Sequence, residues 1–260
     1  MEKKVEKNIG KNKAKLLQWL LPGLAALLIG IFLELLSAFG LLQSFIIPAP
    51  SSVFKAIFVN WREISPHLIE TSWVCLLGFV MSIILSFFTS LLMDGIPIFR
   101  DILYPLIIGS QAIPVMVITP VIVLLLGFGL LPKLFVVVLV CYFPIVISLY
   151  EGFANVDRDM LMLMRSFKAG KWQIFKHLKF PAALPSFFSG IKISSTYCVM
   201  AAVIAEWQGS DKGLGIYLMR VRRSYAYDKM FASILIIVLL SLLLFLFIHL
   251  LQQRVVKWKK

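Results

Sequence analysis

The sequence predicts an all-α polytopic membrane protein with about six transmembrane helices, and three observations carry the prediction. First, 60% of the 260 residues are hydrophobic and the mean hydropathy is +0.91. A soluble domain of this size could not hide that much apolar surface, so lipid is the expected solvent for most of the chain. Second, the apolar residues come in long runs, each able to cross roughly 30 Å of hydrocarbon at about 1.5 Å per residue. Third, Lys and Arg gather on alternate connections between the runs, as membrane orientation requires.

Taken in order, residues 1–15 hold six lysines and form a basic N-terminal segment. The first span is Leu16–Leu36. It is longer than the apolar core of a cleaved signal peptide, and no small-x-small site follows it, so it is expected to be retained. The second span is Thr71–Met93. The third is Ile102–Leu126, interrupted by Pro105, Pro114 and Pro120. Gly127-Phe-Gly129 and Pro132-Lys133 then signal a tight turn into the fourth span, Leu134–Tyr150, which contains Pro144. The fifth is Phe188–Ala205, and the sixth is Met230–Leu251, almost entirely Leu, Ile, Val and Phe. Residues 16–251 thus make one membrane domain, and 252–260 a basic tail. Eighteen of the 26 basic residues fall on one side of this arrangement and eight on the other. The bias puts both termini in the cytoplasm of a multi-pass protein of the plasma or inner membrane.

Several function classes are excluded. The net charge of +13 sits beside the spans, where anionic headgroups account for it better than nucleic acid does. Cys75, Cys141 and Cys198 lie in apolar stretches without ligand or disulfide spacing and read as buried free thiols. His67, His177 and His249 share no metal-ligand spacing. Glu34 and Glu206 fall near the outer interface, and Asp94 and Asp101 at the inner boundary, so no ionisable residue occupies mid-membrane. Ion-coupled carriers usually bury one there, so the energy for transport is expected to enter elsewhere. A phosphate loop of the Gly-x-x-x-x-Gly-Lys-Ser/Thr type is missing, so the chain is not expected to be an enzyme or to bind ATP itself.

The connection at about 151–187 is the most informative. Leu161, Met164 and Phe167, then Trp172, Phe175 and Leu178, recur at helical spacing. Arg165, Lys168, Lys171, Lys176 and Lys179 fill much of the remaining surface. Gly170 is expected to divide the run into two short helices, and Pro181 to end the second. Such helices either lie on the inner leaflet or dock into a groove of a cytoplasmic partner.

The segment Trp172-Gln-Ile-Phe-Lys-His-Leu-Lys-Phe-Pro-Ala-Ala-Leu-Pro185 resembles the cytoplasmic loop of permease subunits of binding-protein-dependent ABC importers. That loop follows the pattern Glu-Ala-Ala, three residues, Gly, nine residues, Ile-x-Leu-Pro. Leu178-Lys179-Phe180-Pro181 takes the last four positions, which puts the pattern's glycine at Lys168 and its Glu-Ala-Ala at Met162-Leu163-Met164, so the front half departs from it. Ile47-Pro-Ala-Pro-Ser-Ser52, Leu77-Gly-Phe79, Gly127-Phe-Gly129, Ala205-Glu206-Trp-Gln-Gly209 and Gly213-Leu-Gly215 resemble segments of the nitrate, sulfonate, taurine and thiamine-precursor branch. Ser224-Tyr-Ala-Tyr-Asp228 resembles its pyrimidine-precursor members.

The resemblance implies a type I importer fold and a homodimer forming the pathway. It implies an external solute-binding protein and cytoplasmic ATPase subunits that use ATP and grip the 160–181 loop. The candidate coupling residues are Arg165, Lys168, Gly170, Trp172, Phe175, Leu178 and Pro181. Trp172 and Phe175 are either anchors in the partner's groove or packing within this bundle, and the basic residues pair with partner acids or stay solvated. Candidate pathway residues are Ser110, Gln111 and Pro114, near a proline bend, and Ser194, Ser195 and Thr196, although small hydroxyl residues are more often close-packing contacts between helices. Arg220, Arg222 and Arg223 break the charge bias and are candidates for docking the binding protein or outer-leaflet headgroups. The expected solute is a thiamine pyrimidine precursor or a small sulfonate- or nitrate-like molecule. The alternative is a stand-alone carrier driven by an ion gradient.

Overall fold

The computed structural model describes residues 21, 23–25, 27–40, 47–208 and 210–256. No strand occurs among them. The helices in chain order are α1 (Gly23–Ala38), α2 (Pro50–Val59), α3 (Trp61–Gly95), α4 (Pro97–Ser110), α5 (Val115–Leu126), α6 (Leu130–Ala154), α7 (Arg158–Ser166), α8 (Lys171–Ile174), α9 (Phe180–Glu206), α10 (Leu214–Arg223) and α11 (Tyr227–Val255). A π turn, Phe175–Lys179, joins α8 to α9. By length and composition α3, α6, the continuous segment Lys171–Glu206 and α11 can each cross a membrane, and α4 with α5 together have the length and apolar character of a broken span or a re-entrant loop. The first expected span falls on α1, a shorter apolar helix, and its residues 16–20, 22 and 26 lie outside the described residues.

Three expectations are corrected. Ile102–Leu126 is not one kinked helix: the run breaks into α4 and α5, which meet at 108°. Pro114 caps α5 with extended backbone (ψ 127°), a conformation its ring allows and one that stops α4 from continuing. The fifth span begins at Phe180, not Phe188, and Pro181 does not end the preceding helix. The π turn lets Phe180 N–H donate to Phe175 O, and Pro181, in the first turn of α9, removes one backbone donor without ending the continuous Lys171–Glu206 segment. The Ile47-Pro-Ala-Pro stretch leads directly into α2, with Pro50 at the first helical position.

The chain divides into two compact units, residues 1–61 with 221–232, and residues 62–220 with 233–260. In the first, Glu34 of α1 accepts from Ser51 N–H (3.0 Å) and Ser51 Oγ (2.6 Å). It thus places a carboxylate at the electropositive N-terminus of α2.

In the second unit α6 is the central helix. Along α3, Gly78, Ser82, Ser86 and Ser90 recur every four residues and so share one face. Ser82, Ser86 and Ser90 are fully buried. Ser86 and Ser90 donate to the α6 carbonyls of Tyr142 (3.1 Å) and Val146 (3.0 Å), and Ser82, bonded to Gly78 O of its own helix at 2.6 Å, lies 3.3 Å from Val138 O in the same register. A Cβ at Gly78 would come within 2.6 Å of Val137 Cγ1. On another face of α6, Gly190 of α9 approaches so closely that a Cβ would lie 2.7 Å from Pro144 O. Ser194 Oγ donates to Cys141 O at 2.7 Å, and Cys141 Sγ lies 3.7 Å from Ser194 O. Cys75 of α3 and Cys198 of α9 face each other's carbonyls in the same reciprocal way. The three thiols are free and buried. Small residues at helix contacts are what membrane packing needs, because lipid offers no hydrophobic drive to bring helices together and close backbone approach supplies the attraction.

Gly190→Val should therefore prevent α9 from seating on α6, since the obstacle is backbone. Ser86→Ala should cost only about 0.6 kcal/mol, the typical worth of one such hydrogen bond in a membrane bundle. Thermal unfolding of the detergent-solubilised chain checks both, and equal melting temperatures for the two variants would contradict the packing described.

Candidate functional site

The connection from α6 to α9 is built by local rules. Asp157 caps α7, its side chain accepting from Asp159 N–H at 2.8 Å. At the other end Lys168 N–H donates to Arg165 O and Ala169 N–H to Met164 O, the paired bonds of a Schellman stop. Lys168 itself takes φ +54°, the left-handed conformation for which glycine is favoured. The helix break thus turns at Lys168, the position matched to the glycine of the importer loop. Gly170 instead caps α8 with extended backbone, its N–H bound by Gln173 Oε1 at 2.8 Å.

The apolar residues of this connection divide into two groups. Phe175 is half-buried in this chain, its ring 5.8 Å from both Phe153 and Phe180, so of the two expected groove anchors it is the one that packs into its own bundle. Leu178 and Pro181 are half-buried beside it. Trp172 stacks on the outer side of Phe175 at 5.6 Å and remains 70% exposed. Met160, Met162, Leu163 and Phe167 are exposed as well, as are Arg165, Lys168 and Lys171. Lys179 Nζ reaches back to Asp94, near the end of α3, at 2.7 and 2.8 Å from its two oxygens.

A cavity of about 340 Å³ lies where the α4–α5 bend faces α6 and α9. Ser110 and Gln111 line it, with Phe143, Pro144, Tyr197 and Met200 opposite, and no described lining residue is charged. Pro114 makes the bend and is exposed. Ser194 and Ser195 are buried and bonded to carbonyls, Ser194 across to α6 and Ser195 to Lys192 O of its own helix, so both act as packing contacts. Thr196 is exposed but its hydroxyl is turned back to Ile193 O. The neighbouring residue Tyr197, which sequence reasoning did not single out, is the α9 side chain at the cavity.

At the end of α9, Glu206 has no solvent exposure. Its Oε1 accepts from Thr71 Oγ1 (2.7 Å) and its Oε2 from Gly215 N–H (2.7 Å). Thr71 Oγ1 accepts from Leu214 N–H (2.8 Å) and His67 Nδ1 from Gly213 N–H (3.0 Å). Three successive N–H groups at the start of α10 are therefore satisfied by α3 and α9, and the carboxylate is stabilised by the positive helix end. A Cβ on Gly213, at φ +129°, would run into the carboxylate, and one on Gly215 into Val203 O and Glu206. The signal was present in the sequence as an acid followed seven and nine residues later by glycine. Arg220, Arg222 and Arg223 are exposed along the far end of α10, and Arg220 Nη2 donates to Asp211 O at 2.9 Å.

Lys168→Gly should stabilise the chain by about 1 kcal/mol by removing left-handed strain, and Lys168→Ala should not; melting curves distinguish them. Glu206→Ala should cost about 1–3 kcal/mol for each buried donor it strands, with Glu206→Gln milder. Protease sensitivity of the 207–213 connection reports the loss.

Residues 78–257 match the family described as binding-protein-dependent transport system inner membrane component. A probable ABC transporter permease protein of Haemophilus influenzae is 32% identical over 88% of this chain and 94% of its own length. The formylaminopyrimidine transport permease protein ThiX of Halalkalibacterium halodurans is 33% identical over 84% of this chain and 88% of its own. In fold, the crystal structure of an amino acid ABC transporter with histidines superposes with a TM-score of 0.59 at 14% identity, covering 77% of this chain and 97% of that one. The match over most of the chain, on a bundle of the same fold, makes this protein a member of the binding-protein-dependent inner membrane transport family, a multi-pass permease of an ABC importer.

Proposed function

We propose that this permease carries an uncharged ring compound of the formylaminopyrimidine kind and is driven by cytoplasmic ATPase subunits that dock on α7 and α8. The observation that carries the reading is the row of exposed apolar side chains on that connection, Met160, Met162, Leu163, Phe167 and Trp172. Exposed apolar surface on short, solvent-facing helices marks a partner site, and a helix laid into a groove is the mode that fits. Trp172 is its aromatic anchor, and Arg165, Lys168 and Lys171 form the charged rim. The basic bias of residues 1–15, 151–192 and 252–260 supports placing this side, and both termini, in the cytoplasm. ATP binds and is spent on the partner.

The solute class follows from the cavity. Uncharged walls with two aromatic rings and a few hydrogen-bonding groups, Gln111, Ser110 and Tyr197, suit a flat neutral ring. A sulfonate or nitrate would need a cation there. The similarity to a formylaminopyrimidine permease supports the same choice. The exposed α9 face of Ile193, Tyr197 and Met200 beside the cavity is where a second copy closes the pathway. The arginines of α10 speed the encounter with an external binding protein.

Purification of the full chain from a gentle detergent should recover an ATPase, and Trp172→Ala should lower that recovery about tenfold with the permease itself intact. Membrane vesicles containing the complex should take up labelled formylaminopyrimidine on addition of ATP, with competition by neutral pyrimidines and none by alkanesulfonates. Uptake by the chain alone under an ion gradient would replace the reading with a secondary carrier.

A further inference from the structure

The joint between the docking helices and α9 is short of backbone hydrogen bonds. Pro181 and Pro185 have no N–H, so the carbonyls one turn before each lose their α-helical donors. Between them and α8 lies the π turn, which carries one residue more per turn than an α-helix and so changes the direction in which α8 faces by about 100°. The backbone alone leaves this joint soft, yet α8 leaves it at a defined angle. Two side-chain contacts cross it. Phe175 is held among Phe153, Phe180 and Trp172, a contact that constrains distance but tolerates rotation. Lys179, the last residue of the π turn, is bonded to both oxygens of Asp94. The two side chains are 24% and 17% exposed, so water screens the pair only partly. Asp94 belongs to α3, which the serine ladder fastens to α6 in one register. The pair therefore ties the joint to a helix hydrogen-bonded to α6.

From this geometry we infer that Asp94 and Lys179 are positioning residues for energy coupling: they fix the angle between α8 and α9, so that a displacement of the docked α7–α8 segment reaches α9 as a movement of the whole helix instead of being absorbed by bending at the joint. The inference rests on the proposed docking of an ATPase to α7 and α8. It assigns the two residues no contact with solute or nucleotide. One ammonium held 2.7 and 2.8 Å from both carboxylate oxygens keeps Lys179 tethered to the end of α3, and loss of either partner strands the other charge at a half-buried place. The expected failure is mechanical: the ATPase still docks and still turns over, but α9 no longer follows.

The test uses the full chain in lipid nanodiscs with its co-purified ATPase. Ile193→Cys supplies a reporter thiol on the exposed face of α9, while the native cysteines stay buried. Its rate of labelling by a water-soluble maleimide is measured with and without ATP and vanadate. With the native pair, nucleotide should change the rate. Asp94→Asn and Lys179→Met should each reduce that change about tenfold, within the usual range of coupling between sites, while ATPase recovery and hydrolysis rate per complex stay near native. The exchanged pair Asp94→Lys with Lys179→Asp should restore it. Native-like nucleotide dependence in the single variants would overturn the inference, as would loss of labelling change in step with loss of bound ATPase, or failure of the exchanged pair to rescue. Absence of any ATPase from the unaltered chain would count instead against the docking reading.

Discussion

Close backbone approach to α6 is the constraint on which the bundle depends. Gly78 and the three buried serines of α3 press on one side of it, and Gly190 and Ser194 of α9 on another. In a membrane the apolar surfaces of helices gain nothing by leaving lipid for one another, so contact area has to come from small side chains and from hydrogen bonds to spare carbonyl lone pairs. The register is set at the same time. Each serine meets a carbonyl one α-helical turn further along α6, which lets α3 and α6 run together over several turns without sliding. The cavity at the α4–α5 bend is bounded by the faces of α6 and α9 left over once that contact is made. Its shape is thus a consequence of the packing.

The starts of the short helices solve a different problem. Short helices such as α2 and α10 expose unsatisfied N–H groups at their starts, and there each receives a carboxylate from a longer helix, Glu34 in one unit and Glu206 in the other. In α10 the arrangement is elaborated until His67, Thr71 and Glu206 each meet one of three consecutive N–H groups. A charge buried without exposure is costly; here the helix end and a hydroxyl offset it, and α10 is fixed to the end of α9 in return. Membrane-embedded carboxylates are read as coupling groups by default, but the partners of Glu206 identify it as a structural one.

The α6–α9 connection combines what is rigid and what is available. Phe175 and Lys179 attach it to the bundle, the first through tilted ring contacts with Phe153 and Phe180 and the second through Asp94. Trp172, Phe167 and the methionines of α7 stay outside. The two aromatics of one short stretch look alike in sequence, three residues apart and both on the apolar side, yet one is core and the other surface.

Much of this was legible from the residues alone. Hydropathy and run length determined the helical, membrane-spanning class, because a chain in lipid must satisfy its backbone within each segment. The stretch ending in Leu178 to Pro181 resembled the importer loop, and the charge pattern gave its expected side. Glycine and proline marked where helices turn but not how. At Pro114 the sequence indicated a bend where the structure has a break, and at Pro181 an ending where the structure has a π turn and a continuing helix. Such choices rest on whether neighbouring helices supply partners for the freed backbone groups, and those neighbours are distant in the chain. The same holds for Ser194, drawn to an α6 carbonyl away from the cavity, for Tyr197, which takes the place beside it, and for Glu206, whose partners lie 135 residues earlier and 9 later. Local propensity is a property of a few consecutive residues; burial and hydrogen-bond partnership are properties of the packed bundle, and only the tertiary structure decided them.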